Sequence, residues 1–102
     1  VEQYTKNVLN IIKNIPEGKV MTYGQVAGEA GNARGARQVA RILHSMCRAY
    51  QLPWHRIINA KGEIALKDME AGQTQKELLE REGIVIGLNG KVDLERFRYD
   101  GS

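Results

Sequence analysis

The chain has 102 residues, with 15 Lys plus Arg against 12 Asp plus Glu and a formal charge of +3. That length suits one domain, and 42 % apolar residues supply one modest core. A membrane span of ~20 apolar residues, an internal disulfide and a multi-cysteine zinc site are all excluded, because no such run exists and Cys47 is the single cysteine.

In chain order, Tyr4, Val8, Ile11, Ile12 and Ile15 recur at helical spacing and predict an amphipathic helix over residues 2–14. Pro16 and Gly18 stop it. Thr22 is the N-cap of a short helix over 23–30, with Gln25 at the capping-box position and Val26, Ala27 and Ala30 facing inward. Gly31 and Asn32 turn the chain into a second helix over 33–47. Two short helices joined by a tight turn read as a helix-turn-helix. On the second, Arg34, Arg37, Arg41, His44 and Arg48 fall within a sector of about 80°. Val39, Ala40, Ile42, Leu43, Met46 and Cys47 occupy the other side. This is the layout of a recognition helix on DNA; the plain alternative is a solvated face. Gly35 and Ala36, at its start, let the backbone approach a ligand or pack against the first helix.

The charge is concentrated there. Residues 34–67 carry +6, through Arg34, Arg37, Arg41, Arg48, Arg56, Lys61 and Lys67 against Glu63, and the remainder sums to −3. A basic block in an otherwise acidic chain points to a polyanion and to steep salt dependence. Further on, residues 54–58 read as extended, 59–62 as a turn and 63–66 as a second strand, together forming a wing. A polar helix is expected over 72–82, anchored by Leu78 and Leu79 and capped by Gly83. Residues 84–88 and 91–94 suggest a hairpin with a type I′ turn at Asn89-Gly90. Phe97 and Tyr99 dock the tail. No charged-then-apolar leader is visible, and the single cysteine fits a reducing compartment.

Pro53-Trp54-His55-Arg56-Ile57-Ile58 resembles the Pro-Cys-His-Arg-Val active-site motif of the O6-alkylguanine-DNA alkyltransferases, with Trp in place of Cys. Gly18-Lys19-Val20, Thr22-Tyr23-Gly24-Gln25-Val26-Ala27 and Ala36-Arg37-Gln38-Val39 resemble the family's helix-turn-helix, and Glu82-Gly83 its late Glu-Gly pair. The resemblance spans residues 3–99, and Trp for Cys marks the alkyltransferase-like subfamily. It implies a mainly α fold with a small β wing or hairpin, a winged helix-turn-helix like the C-terminal domain of the transferases. Residues 1–102 would be one DNA-binding domain, with its helix-turn-helix at about 23–47.

In a transferase of this family a Cys thiolate attacks the alkyl carbon, a His removes the thiol proton through water, and a Glu orients the His. His55 and Glu82 match the last two. Trp54 holds the nucleophile position, and an indole offers an N–H donor but no nucleophile. The resemblance therefore implies no catalytic residue, with His55 and Glu82 as relicts. Cys47, on the apolar side of its helix, is not expected to substitute.

What the resemblance leaves is recognition of O6-alkylguanine in duplex DNA by minor-groove docking and base flipping, with the lesion held and flagged for nucleotide excision repair. Arg37 matches the Arg that replaces the extruded base, and Tyr23 the Tyr that rotates the 3′ phosphate. Arg34, Gly35, Ala36, Gln38 and Arg41 complete the expected DNA-binding set. Tyr23, Leu43, Trp54, Ile57 and Lys67 form the expected lesion pocket, Lys67 aligning with a pocket Tyr of the transferases. No cofactor or metal is implied. The expected partners are double-stranded DNA containing O6-alkylguanine and nucleotide excision repair proteins, with no membrane and a monomeric chain. The location would be the bacterial nucleoid or the eukaryotic nucleus. Two other readings stay open, a sequence-specific helix-turn-helix regulator and a lesion-processing enzyme using His55 and Glu82.

Overall fold

The apolar stripe of the first predicted helix becomes one wall of the core in the computed structural model, which describes residues 2–64 and 69–100. Helix α1 (Gln3–Lys13) buries Thr5, Val8, Leu9 and Ile12, and Ile15 follows into the same core. The chain then enters a two-residue strand β1 (Met21–Thr22) and helix α2 (Tyr23–Ala30). The capping box forms as the sequence predicts. Thr22 Oγ1 accepts from the Gln25 N–H at 3.0 Å, and Gln25 Oε1 accepts from the Thr22 N–H at 3.4 Å.

Gly31 ends α2 in the left-handed region at φ +117°. A Cβ there would meet nothing within 4 Å, so the requirement for glycine is torsional and not steric. Gly31→Ala should accordingly destabilise the fold by about 1–2 kcal/mol in a urea titration, with no change in m-value.

Helix α3 spans Ala36–Tyr50, starting later than the 33 read from periodicity and continuing past 47. Asn32 explains the late start. Its Oδ1 accepts from the Arg34 N–H at 3.1 Å and its carbonyl from the Gly35 N–H at 2.9 Å, which holds residues 32–35 as a turn. At the other end Gln51 adopts φ +51°, and the Leu52 N–H bonds to the Cys47 carbonyl at 2.9 Å while Leu52 is buried.

The segment after Pro53 corrects the sequence reading. Trp54–Arg56 is a single 3₁₀ turn, closed by the Arg56 N–H on the Pro53 carbonyl at 3.0 Å, and only Ile57–Ile58 is strand β2. Its partner is β1 and not residues 63–66. The two strands run parallel, with Met21 opposite Ile57 and Thr22 opposite Ile58. Side chains alternate across this short pair. Met21 and Ile57 join the cluster built by α1, α2 and α3, whereas Val20 and Ile58 join a second cluster with Leu79, Ile84, Val92 and Phe97. Glu63 instead bridges antiparallel to Lys91, and residues 65 and 66 of the expected strand lie outside the described residues.

Helix α4 (Met69–Arg81) begins before the predicted 72, and Gly83 follows it at φ +88°. The hairpin has its Ile86–Val92 bridge, but its turn is not type I′. Gly90 has a positive φ of 75° and Asn89 does not, so residues 88–90 form a three-residue loop closed by the Gly87 N–H on the Lys91 carbonyl. Helix α5 (Leu94–Phe97) buries Phe97, and the tail docks on Val20 through the Tyr99 N–H at 2.8 Å.

Candidate nucleic-acid interface and base pocket

Helix α3 has two chemically distinct sides. Val39, Ile42 and Leu43 are buried. Arg34, just ahead of the helix, and Arg37, Gln38, Arg41, His44 and Arg48 on it are exposed. Among the described residues, ion pairs join His55 to Glu82, Arg56 to Glu82 and Arg98 to Asp100, so the α3 arginines are uncommitted. Gly35 differs from its neighbours. It is buried, and a Cβ there would lie 2.4 Å from Tyr4 Oη, so its missing side chain serves packing on α1. Ala36 is half-buried.

Exposed cations on one helix face are suited to phosphates. Replacing Arg34 and Arg41 together by Ala should weaken binding to any duplex alike and reduce the slope of log K against log salt by roughly 2, read by fluorescence anisotropy.

Beside this face lies a cleft of about 230 Å³. Tyr23 from the start of α2, Leu43 from α3, Trp54 from the 3₁₀ turn and Ile57 from β2 line it together. Lys67, the fifth expected pocket residue, lies outside the described residues. Ala40, His44, Cys47 and Gln75 also line the cleft, and none was among the expected pocket residues. Cys47 is half-buried at this wall, not sunk in the core as its apolar sector suggested. Burial raises the Tyr23 pKa, which keeps the phenol protonated and able to donate.

Under the cleft a compact ionic network organises the 3₁₀ turn. Glu82 Oε2 lies 2.6 Å from His55 Nε2. Arg56 Nη2 donates to the same oxygen at 2.7 Å, and Arg56 Nε reaches Oε1 at 3.0 Å. The Gly18 N–H donates to Oε1 at 3.0 Å, and Arg56 Nη1 donates to the Ile15 carbonyl at 2.9 Å. One carboxylate thereby ties the loop after α1 to the 3₁₀ turn and to the end of α4. Burial alone would raise the Glu82 pKa. The hydrogen bonds from Arg56, His55 and Gly18 outweigh it and hold the carboxyl at about 2. Since Glu82 is ionised, His55 Nε2 carries the proton of this contact.

Arg56 is therefore an internal cation. The sequence counted it with the basic block, but its charge is spent on Glu82 and does not face solvent DNA. Among the described residues there is also no group of three His, Cys, Asp or Glu arranged to hold a metal, and no helix long and apolar enough to cross a membrane.

Residues 3–84 match the 6-O-methylguanine DNA methyltransferase DNA-binding domain. The chain belongs to this methyltransferase family. It is 39 % identical to the DNA base-flipping protein of Escherichia coli over 97 % of this chain and 76 % of that protein. It is 44 % identical to alkyltransferase-like protein 1 of Schizosaccharomyces pombe over 83 % and 79 % of the two chains. A crystal structure of S. pombe Atl1 in complex with damaged DNA containing O6-carboxymethylguanine superposes with a TM-score of 0.84 at 35 % identity, covering 97 % of this chain and 96 % of that one. The expected fold, mainly helical with a small β element, is the family's fold.

The segment that resembles the family's active-site motif has Trp54 after Pro53, and the single cysteine is seven positions earlier on α3. Of the cleft residues that the sequence did not single out, Gln75 carried one usable signal. It precedes Leu79 by one helical turn on the same face, so a polar residue stood at a core position.

Proposed function

We propose that the protein recognises O6-alkylguanine in duplex DNA without repairing it. The observation that carries this reading is Trp54, an indole at the motif's nucleophile position, lining a nucleobase-scale cleft beside the uncommitted arginines of α3. The relatives' names, a base-flipping protein and an alkyltransferase-like protein, and the lesion-containing complex of Atl1 support it. In this reading α3 enters the minor groove and Arg37 fills the gap left by the flipped base. Tyr23 turns the phosphate, and the base enters the cleft against Trp54, Leu43 and Ile57. Gln38 and Ala36 lie along the groove-facing start of the helix.

His55 and Glu82 act as structure in this scheme. Their contact fixes the His55 ring through Nε2 and, with Arg56 added, ties the 3₁₀ turn to the end of α4. A protein that holds a lesion without chemistry needs a partner to complete repair, and nucleotide excision repair proteins are the class that removes bulky complexes. The chain works as a monomer wherever the genome is, nucleoid or nucleus.

The test is a titration of the protein into matched duplexes containing one O6-methylguanine or one guanine, followed by mass analysis of the nucleosides and of the protein. Preferential binding with the methyl group still on the DNA is the expected result. Methyl mass on Cys47, which shares the cleft with Trp54, would replace the non-enzymatic reading with alkyl transfer to a relocated thiol. Equal binding to both duplexes would point to a sequence-reading regulator.

A further inference from the structure

His44 belongs to two surfaces at once. It is exposed on α3, one turn after Arg41 and one turn before Arg48, within the cationic face. It also lines the cleft, so it stands at the rim where the two surfaces meet. Of the described residues on that wall it alone can carry a positive charge. The other titratable groups there are the Tyr23 phenol from α2 and the Cys47 thiol one turn further along α3. The 3₁₀ turn, β2 and α4 present Trp54, Ile57 and Gln75, which do not titrate. Among the described residues no carboxylate lines the cleft, and none lies within ion-pair distance of His44.

We propose that His44 makes lesion binding proton-linked, holding a backbone phosphate of the flipped nucleotide as an imidazolium, so that the complex takes up a proton as it forms. The inference rests on the reading of the cleft as a base pocket. The placement follows from the covalent structure of DNA. A base that enters the cleft draws its sugar and its flanking phosphates to the cleft rim, where His44 stands. A phosphate oxygen beside an imidazole favours the charged form. Bound DNA also offsets the positive charge of Arg41 and Arg48 on either side. Both influences act only in the complex, so the bound state holds the proton more firmly than the free chain. An imidazole ordinarily titrates near pH 6.5, which puts this linkage in the neutral range. The arginines of α3 cannot supply it, because a guanidinium keeps its charge throughout.

The experiment measures affinity by fluorescence anisotropy at constant salt from about pH 6 to about pH 8.5. It compares the wild-type chain, His44→Lys and His44→Gln on duplexes containing one O6-methylguanine or one guanine. Wild-type affinity for the lesion should fall about tenfold as pH rises through this range, the effect of a shift of roughly one pH unit in the imidazole between free and bound chain. His44→Lys keeps its charge and should give a flat profile near the wild-type value at the acid end. His44→Gln has no charge and should give a flat profile near the value at the alkaline end. On the guanine duplex, whose base stays stacked, the wild-type change should be about threefold or less. Calorimetry near neutral pH, in two buffers of different ionisation enthalpy, counts the proton directly and should find uptake in the wild type alone. A wild type that prefers the lesion equally at every pH overturns the inference and leaves the base pocket standing. A pH dependence that survives in both variants assigns the proton to another group and also overturns it. Equal linkage on the two duplexes places His44 on an ordinary phosphate and overturns its assignment to the flipped nucleotide. Absence of any lesion preference removes the base pocket and the inference with it.

Discussion

Glu82→Ala should cost about 3–5 kcal/mol of folding stability, because it leaves the Arg56 guanidinium and the Gly18 N–H without their shared acceptor. The Glu82 side chain is 8 % exposed, so water cannot step in for the carboxylate as it would at a surface pair. In a chain of this size the loss should lower Tm by more than about 10 °C. Arg56→Lys should cost less than Glu82→Ala, since an ammonium keeps the charge but cannot present the guanidinium fork.

The same carboxylate sets an acid limit. Its pKa is about 2 in the folded protein against an ordinary 4.5. Between those values the unfolded chain binds the extra proton, so stability rises with pH across this window. The contribution is complete above 4.5 and is lost as pH falls towards 2, amounting to about 3 kcal/mol. Urea titrations of wild type and Glu82→Ala from pH 6 down to pH 2 should therefore converge. Parallel curves would mean that the carboxylate is not held by its partners.

Arg37→Ala should remove most of the preference for lesion over guanine, lowering that ratio about 10- to 100-fold. Binding to undamaged DNA should change only by the loss of one cation. The reason is geometric. Arg37 is exposed and unpaired on the first turn of α3, and a planar guanidinium can take the place of an extruded base and pair with its orphaned partner. Arg37→Lys separates charge from shape. It should restore the salt slope of the wild type and not its lesion preference. Equal losses on lesion and plain duplexes would assign Arg37 to a phosphate.

Local signals were read well from the sequence wherever the determinants are neighbours in the chain. The apolar period of α1 and the Thr22–Gln25 capping box of α2 each depend on residues within a few positions. The start of α3 was misplaced for a local reason as well, since Asn32 competes for the Arg34 N–H and the periodicity of arginines does not register that. Residues 54–58 misled because alternation of apolar and polar side chains is shared by strands and short turns. The β1–β2 pairing, which joins Met21 to Ile57, has no trace in either segment alone. Arg56 shows the limit most clearly. Its type and its neighbours placed it with the DNA-facing cations, and only a carboxylate 26 positions away turned it inward.

The sequence by itself determined the family and the basic face of α3, because each is carried by residue identity at short spacing. Tertiary structure alone decided the rest. It brought Tyr23, Leu43, Trp54 and Ile57 to one cleft, placed Cys47 on its wall and withdrew Arg56 from the basic surface. It also left the Gln75 oxygen buried without a donor among the described residues. Burial and hydrogen-bond partnership depend on which distant segments meet, and chain spacing does not encode that.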